Sequence, residues 1–312
     1  MTDTLGPRST RTAYRDRLLA LLPGDPRLIC LDTDTGLFNG VDLGPAASRY
    51  VNLGIAEHNL MGAAAGLAAG GFTPFVHTMA AFAVSRAAEA VKIDIAYNAL
   101  PVRIAATHSG LSAGHLGPTH HALEDIAAMR MLPNMTVVVP GDATAAELAV
   151  EQAADLPGPL YLRLGRKVTP ALPAGAEPPR IGFGQVLRTG ADVLLVCCGP
   201  HPVHAALAAA AALAGEGISA GVLNMHTVKP LDVAALCEHA AGASLVVTVE
   251  EHWRCGGLGG AVAEVLAEHQ PVRVVRVGIP DTFAATVGDS DYLTAHYGIT
   301  GDAVVAAVRK TV

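Results

Sequence analysis

An acidic residue, Glu57, lies within an otherwise mostly apolar stretch, Asn52-Leu-Gly-Ile-Ala-Glu-His-Asn-Leu-Met61-Gly. The apolar residues before it predict the end of a short buried strand, and the spacing of those after it predicts a helix that begins near Glu57. A carboxylate in a first helical turn can cap backbone N–H groups and complement the helix dipole. A half-buried carboxylate can instead exchange a proton with a bound molecule. Taken alone, the stretch favours the capping interpretation.

A second concentration of reactive side chains is the histidine loop, which we define as the glycine-rich residues 108–121. Four histidines fall within these fourteen positions, at 108, 115, 120 and 121. They lack a neighbouring cysteine and a two-histidine helical spacing, which argues against a zinc site. Neutral imidazoles that hydrogen-bond a hydroxylated substrate fit the loop better. The alternative is that these histidines simply face solvent.

Other candidate residues also lie at predicted strand ends, where open α/β sheets bind ligands. Asp32 and Asp34 follow one strand, and Arg163 and Arg166 close another. The two arginines could pair with an anionic group or with surface carboxylates. Phe82, on the helix after a further strand, is by itself a typical core residue.

The elements that must position these residues alternate between strands and helices, which predicts two doubly wound α/β domains, each with a mostly parallel sheet flanked by helices. A proline-rich segment separates the halves. We predict a first domain at 1–170, a linker at 171–185 and a second, smaller domain at 186–312. The predicted helices are 11–22, one from 57 onward, 80–96, 122–131, 143–154, 203–214, 232–240, 258–269 and 301–310. The predicted strands are 28–31, 50–53, 73–76, 102–106, 136–139, 160–164, 193–197, 219–224, 244–249 and 272–277.

The composition limits the class of protein. With 51% hydrophobic residues in 312, the chain can form two cores. Its formal charge of -7 and scattered basic residues make nucleic acid an unlikely partner. Five cysteines without metal spacing indicate reduced thiols. The absence of a signal-like N-terminus or a long apolar run predicts a soluble, cytoplasmic protein with no membrane partner.

Taken together, several motifs resemble the C-terminal half of the transketolase family of thiamine diphosphate enzymes. The resemblance covers essentially the whole chain. The matching segments are Gly54-Ile-Ala-Glu-His58, Phe82-x-x-x-Arg86-Ala-x-Glu89, Thr107-His-Ser-Gly-Leu-x-x-Gly-x-x-Gly-Pro-Thr-His120, Leu123-Glu-Asp-Ile126-Ala, and Leu132-Pro-Asn-Met135 with Val139-Pro-x-Asp142.

The resemblance implies a cofactor role for four residues. Glu57 matches the glutamate that hydrogen-bonds N1′ of the aminopyrimidine and promotes cofactor activation. Phe82 matches the aromatic residue that stacks on the pyrimidine, and Met79 lies where some relatives carry a second aromatic residue. Asp34 matches a loop acid near the cofactor.

The resemblance also implies substrate contacts. His108 and His120 match catalytic-site residues that contact the sugar, and Arg166 matches one that holds its phosphate. Arg11 is a weaker match to another phosphate ligand because the nearby spacing differs. Where the family usually has an acid before Gly-Pro-Thr-His, this chain has Leu116, preceded by His115. Leucine cannot bond a substrate hydroxyl, so acceptor preference should differ.

The Gly-Asp-Gly motif and downstream asparagine, with which the family holds Mg²⁺ and the diphosphate, do not occur in this sequence. The resemblance therefore predicts one subunit of a split transketolase, with no metal site of its own. A partner subunit would bind the diphosphate and Mg, in an α2β2 assembly that transfers a two-carbon ketol unit between sugars or sugar phosphates. The alternatives are the β subunit of a 2-oxoacid dehydrogenase, an enzyme similar to 1-deoxyxylulose-phosphate synthase, and a non-catalytic regulatory subunit.

Overall fold

The computed structural model describes residues 7–173 and 176–311. The strands are β1 (Leu28–Asp32), β2 (Tyr50–Asn52), β3 (Thr73–Met79), β4 (Arg103–Thr107), β5 (Thr136–Val138), β6 (Leu160–Arg163), β7 (Gln185–Arg188), β8 (Val193–Cys197), β9 (Ala220–Asn224), β10 (Thr227–Lys229), β11 (Leu245–Trp253) and β12 (Val274–Ile279). The α-helices are α1 (Thr10–Leu21), α2 (Glu57–Ala69), α3 (Ala80–Val84), α4 (Ala88–Ala90), α5 (Asp125–Arg130), α6 (Ala143–Ala154), α7 (Pro200–Ala214), α8 (Val233–Ala240), α9 (Leu258–His269), α10 (Ser290–His296) and α11 (Gly301–Arg309).

The strands form two sheets. The first has the order β10-β5-β6-β4-β3-β1-β2 and is parallel except for β10. The second has the order β12-β11-β8-β9-β7 and is parallel except for β7. Central strands such as β4 and β8 are buried along their whole length, as expected when helices cover both faces. The prediction of two α/β units with mostly parallel sheets is confirmed.

The halves of the chain are joined by more than the linker. Strand β10 comes from the second half but pairs with β5 in the first sheet, with Thr227 opposite Val138. One apolar cluster also contains buried residues of both halves, among them Met129, Val137, Leu223 and Met225. The predicted boundaries at 170 and 186 remain a prediction, and Gln185, placed in the linker, begins β7.

The predicted helix 80–96 is wrong as a single element. It consists of α3, the short α4 and a π-helix at Val91–Ala96. The hydroxyl of Ser85 donates to the carbonyl oxygen of Ala81 at 2.5 Å, and a side chain that bonds the backbone in this way competes with the helical ladder. The irregularity ends α3 just beyond Phe82.

The predicted helix 122–131 starts three residues too early. Ala122 instead forms an antiparallel bridge with Gly110, and α5 begins at Asp125. Strands β7 and β10 and helix α10 were not predicted, because each is short and its pairing or packing depends on distant segments. No helix within the described ranges is long and apolar enough to cross a membrane.

Candidate active site

Glu57 is the first residue of α2, as predicted, and its side chain is only 5% exposed. The preceding N-cap residue, Ala56, supplies no side-chain cap. Among the described residues its ion-pair partner is Arg86, whose Nη1 lies 3.7 Å from Glu57 Oε1. Across the described residues, no hydrogen bond engages the Glu57 carboxylate, so it is not used as a helix cap. It is a buried acceptor with bonding capacity to spare.

Arg86 connects Glu57 with Phe82. Its guanidinium carbon lies 4.2 Å from the centre of the Phe82 ring, which is a cation–π contact. Phe82 sits on α3, which follows β3 directly and so begins at the carboxyl edge of the sheet. The spacing of four residues between Phe82 and Arg86 was visible in the sequence, yet Arg86 received no predicted role.

The histidine loop reaches the same place through His120. The imidazole of His120 packs against Phe82 in a T-shaped arrangement, with 5.2 Å between ring centroids. The hydroxyl of Thr119 lies 2.9 Å from His120 Nδ1. Two segments that are 38 residues apart in sequence, one predicted to hold a cofactor and one a sugar, therefore meet at this ring pair.

His108 lies at the start of the loop, immediately after β4, with a positive φ of 56° and little exposure. Its Nδ1 is 3.0 Å from the hydroxyl of Thr107. Burial lowers the pKa of His108 to about 3, with further lowering by the charges of Arg11, Arg166 and His120. His108 is therefore neutral at physiological pH and can donate or accept a hydrogen bond.

Arg11 and Arg166 converge because the start of α1 docks on the segment after β6. The amide of Arg11 donates to Gly165 O at 3.2 Å, and the amide of Gly165 donates to Thr10 Oγ1 at 2.9 Å. Burial lowers the pKa of Arg11, and the charge of Arg166 lowers it further. Two guanidinium groups held close together form a region that favours an anion.

The other predicted residues lie at or after the carboxyl ends of β1, β3 and β4. Asp34 is exposed with a positive φ of 61°, and its carboxylate is 3.4 Å from the Asn52 amide nitrogen. Met79 is half-buried at the end of β3, opposite Thr107 of β4. His115 and Leu116 are exposed on one turn of 3₁₀-helix at the tip of the histidine loop.

Arg163 is not part of the anion-binding region. Its Nε donates to Asp125 Oδ2 at 2.7 Å, and both side chains are almost completely buried. The hydroxyl of Tyr161 donates to the same carboxylate oxygen at 2.8 Å. The sequence left two partners open for Arg163, an anionic group or surface carboxylates. Its partner is a carboxylate, that of Asp125, but this carboxylate is buried. Within residues 7–173 and 176–311, no three ligating side chains are grouped to hold a metal ion.

The fold and this edge-of-sheet cluster define a two-domain α/β subunit with a site assembled from several strand ends. Family models support a more specific assignment. The model described as "Transketolase, pyrimidine binding domain" matches residues 7–171, and "Transketolase, C-terminal domain" matches residues 182–304. The chain belongs to the transketolase family, whose enzymes depend on thiamine diphosphate.

Two of its relatives are named as transketolase subunits. The chain is 39% identical to the 6-deoxy-6-sulfo-D-fructose transketolase subunit SqwH of Clostridium sp. (strain MSTE9), over 96% of this chain and 93% of that protein. It is 38% identical to a subunit of the apulose-4-phosphate transketolase of Phocaeicola vulgatus, over 93% of each chain. A solved structure described as "Split gene transketolase, inactive beta4 tetramer" is 42% identical, with a TM-score of 0.88 and 98% coverage of both chains. The prediction of a split-transketolase subunit is confirmed.

Proposed function

We propose that this chain is the pyrimidine-binding subunit of a thiamine diphosphate-dependent transketolase, which moves a two-carbon ketol unit from a ketose to an aldose. The observation that supports this most directly is the continuous row Glu57, Arg86, Phe82 and His120, with His108 near enough to His120 for the charge of one imidazole to affect the other. A cofactor-activating carboxylate and sugar-binding histidines would have to be neighbours in such an enzyme. The row brings these two sets of side chains together.

The cofactor end of the row fits an aminopyrimidine. Glu57 offers a buried carboxylate with no hydrogen bond from the described residues, and Phe82 lies beside it as an aromatic platform. In this proposal Glu57 holds a proton shared with N1′ of the pyrimidine, Phe82 fixes the plane of the ring, and Met79 and Asp34 border the pocket. When bound, thiamine diphosphate supplies the electron sink that allows the ketose carbon–carbon bond to break.

The other end of the row fits a sugar with an anionic terminus. Neutral His108 and His120 would hydrogen-bond sugar hydroxyls, while Arg166 and Arg11 would hold a phosphate or sulfonate. The names of the Clostridium and Phocaeicola relatives each contain such a group, a sulfo substituent in one and a phosphate in the other. We extend an anionic sugar substrate to this chain on that basis.

A partner subunit completes the proposed enzyme. The chain lacks the Gly-Asp-Gly motif, so the diphosphate and Mg would be held mainly by a diphosphate-binding transketolase subunit, in an α2β2 assembly. The related β4 tetramer, which is described as inactive, agrees with the need for a second type of subunit. A cytoplasmic location is our further proposal, supported by five free cysteines.

Reconstitution tests this proposal. The chain would be purified alone and together with a diphosphate-binding subunit encoded beside it, then supplied with thiamine diphosphate and Mg²⁺. We expect ketose-to-aldose transfer only from the mixture. Turnover of pyruvate with a lipoyl acceptor, and none with any sugar phosphate, would instead identify a 2-oxoacid dehydrogenase subunit.

A further inference from the structure

The histidine loop is closed at its base by a short neck, which we define as Gly110, Leu111 and Ala122. The amide of Gly110 donates to Ala122 O at 3.1 Å, and the amide of Ala122 donates to Gly110 O at 3.0 Å. This reciprocal pair fixes where the loop leaves the sheet and where it returns. The residues between, including His120, depend on the neck for their position.

A carboxylate from the second half of the chain enters this neck. Glu251, in β11, is 7% exposed, and its Oε1 accepts the Leu111 amide at 2.6 Å. The fit is so close that a Cβ atom on Gly110 would overlap the same oxygen. Gly110 also has a positive φ of 59°, so glycine is required there for two reasons.

Arg163 fastens the opposite side of the neck. One of its Nη atoms donates to Ala122 O at 3.1 Å and to the backbone oxygen of Glu251 at 2.9 Å. Because Arg163 also pairs with Asp125, the neck, α5 and β11 share one buried hydrogen-bond network. The amide of Trp253 adds a bond to Leu123 O at 2.9 Å.

We propose that Glu251 is a positioning residue for the substrate, and that the second domain acts through it to set the geometry of the histidine loop. Glu251 is placed to act on sugar binding through His120, which lies between the two sides of the neck, whereas the cofactor residues Glu57 and Phe82 lie on other segments. Loss of its hydrogen bond should therefore weaken sugar binding and leave cofactor binding unchanged. This consequence for sugar binding rests on the proposed function.

Glu250 provides a matched control. It is also buried, and it accepts two backbone N–H groups where Glu251 accepts one, from Leu258 at 2.6 Å and Gly259 at 3.0 Å, but these lie at the start of α9 and not in the loop. Glu250→Ala should therefore remove a comparable carboxylate from the same strand without freeing the neck. Glu251→Gln keeps an acceptor oxygen and should rescue the effects of Glu251→Ala.

The first test is hydrogen–deuterium exchange on the full chain, which does not depend on the identity of the substrate. We expect faster exchange in peptides covering residues 109–121 for Glu251→Ala, and not for Glu251→Gln or Glu250→Ala. Equal exchange of these peptides in Glu251→Ala and wild type would overturn the proposal.

The second test uses the chain reconstituted with its partner subunit. For Glu251→Ala we expect the sugar KM to rise about ten- to a hundred-fold, since small misplacement of binding groups has effects of this size, with an unchanged half-saturating concentration of thiamine diphosphate. A cofactor effect as large as the sugar effect would contradict the proposal. If the wild-type complex transfers no ketol unit, the proposed function fails, while the exchange test still decides whether Glu251 holds the loop.

Discussion

Replacement of Glu57 by glutamine separates a chemical role of this side chain from a structural one. Glutamine has nearly the same shape, and the carboxylate it replaces makes no hydrogen bond with the described residues. The substitution removes one charged interaction, the 3.7 Å pair with Arg86, whose side chain is 55% exposed. Pairs with an exposed partner contribute about 0–1 kcal/mol, so we expect the free energy of unfolding to fall by less than about 1 kcal/mol.

The expected effect on the rate is much larger. A side chain that shares a proton with a reacting group typically accelerates a reaction by about 10²–10⁴-fold. At about 1.36 kcal/mol for each factor of ten, this corresponds to about 3–5 kcal/mol in the activation barrier. The Glu57→Gln complex should therefore assemble and melt almost like the wild type while kcat falls by at least about 10²-fold.

The assay is ketol transfer by the reconstituted complex at saturating thiamine diphosphate, with thermal melting of the same samples. Glu89→Gln is the control, because Glu89 is an exposed carboxylate on the neighbouring helix α4. A near-normal kcat for Glu57→Gln would refute the role assigned to this residue. A large loss of stability would show instead that its charge is needed for folding.

Four further predictions concern other residues of the candidate site. Arg86→Met should tighten cofactor binding by the complex about two- to five-fold, because it removes a cation–π contact of about 0.5–1 kcal/mol that covers the Phe82 ring. Calorimetry measures this affinity. Weaker binding would mean that Arg86 helps to hold the cofactor. Arg166→Met should raise the KM of a phosphorylated sugar about 10- to 100-fold, as expected for a lost charged hydrogen bond, with less effect on the KM of its unphosphorylated analogue. The control is Arg273→Met, because Arg273 is exposed. Equal effects on the two sugars would contradict an anion site. Leu116→Asp should shift the acceptor profile towards aldehydes with a hydroxyl beside the carbonyl. An unchanged profile would show that Leu116 does not affect acceptor preference. The pKa of His108 is about 3 in the folded chain, against an ordinary value of about 6.5, so between these values only the unfolded chain binds a proton at this residue. The free energy of unfolding should therefore decrease as the pH falls below about 6.5, by up to about 1.4 kcal/mol per pH unit. Melting between about pH 7 and pH 5 should show a shallower decline for His108→Asn, and an identical slope would rule out this contribution.

The local parts of the structure were predictable from the sequence because their causes are local. The apolar runs at 102–106 and 193–197 predicted β4 and β8 to within a residue. The position of Glu57 at the start of a helix followed from the spacing of apolar residues after it. Fold class could be inferred because strands and helices alternate along most of the chain.

The remaining features depend on partners that are far away in sequence. Arg163 could not be separated from Arg166 as an anion ligand, because its role is set by Asp125 and by the backbone of Glu251, 38 and 88 residues away. Glu251 itself does not lie in a recognisable sequence motif. The break in the helix after Phe82 coincides with a hydrogen bond from the Ser85 hydroxyl to the backbone, which a pattern of apolar residues does not detect.

Strand β10 gives the chain an evolutionary constraint. Its three residues, Thr227–Lys229, cover the edge of β5 in the first sheet although they follow the linker by about forty positions. A gene division at the linker would leave β5 with an open edge, and open edges invite pairing between separate chains. The pyrimidine-binding and C-terminal modules should therefore be inherited as one unit. A first domain expressed without residues 227–229 would be expected to aggregate.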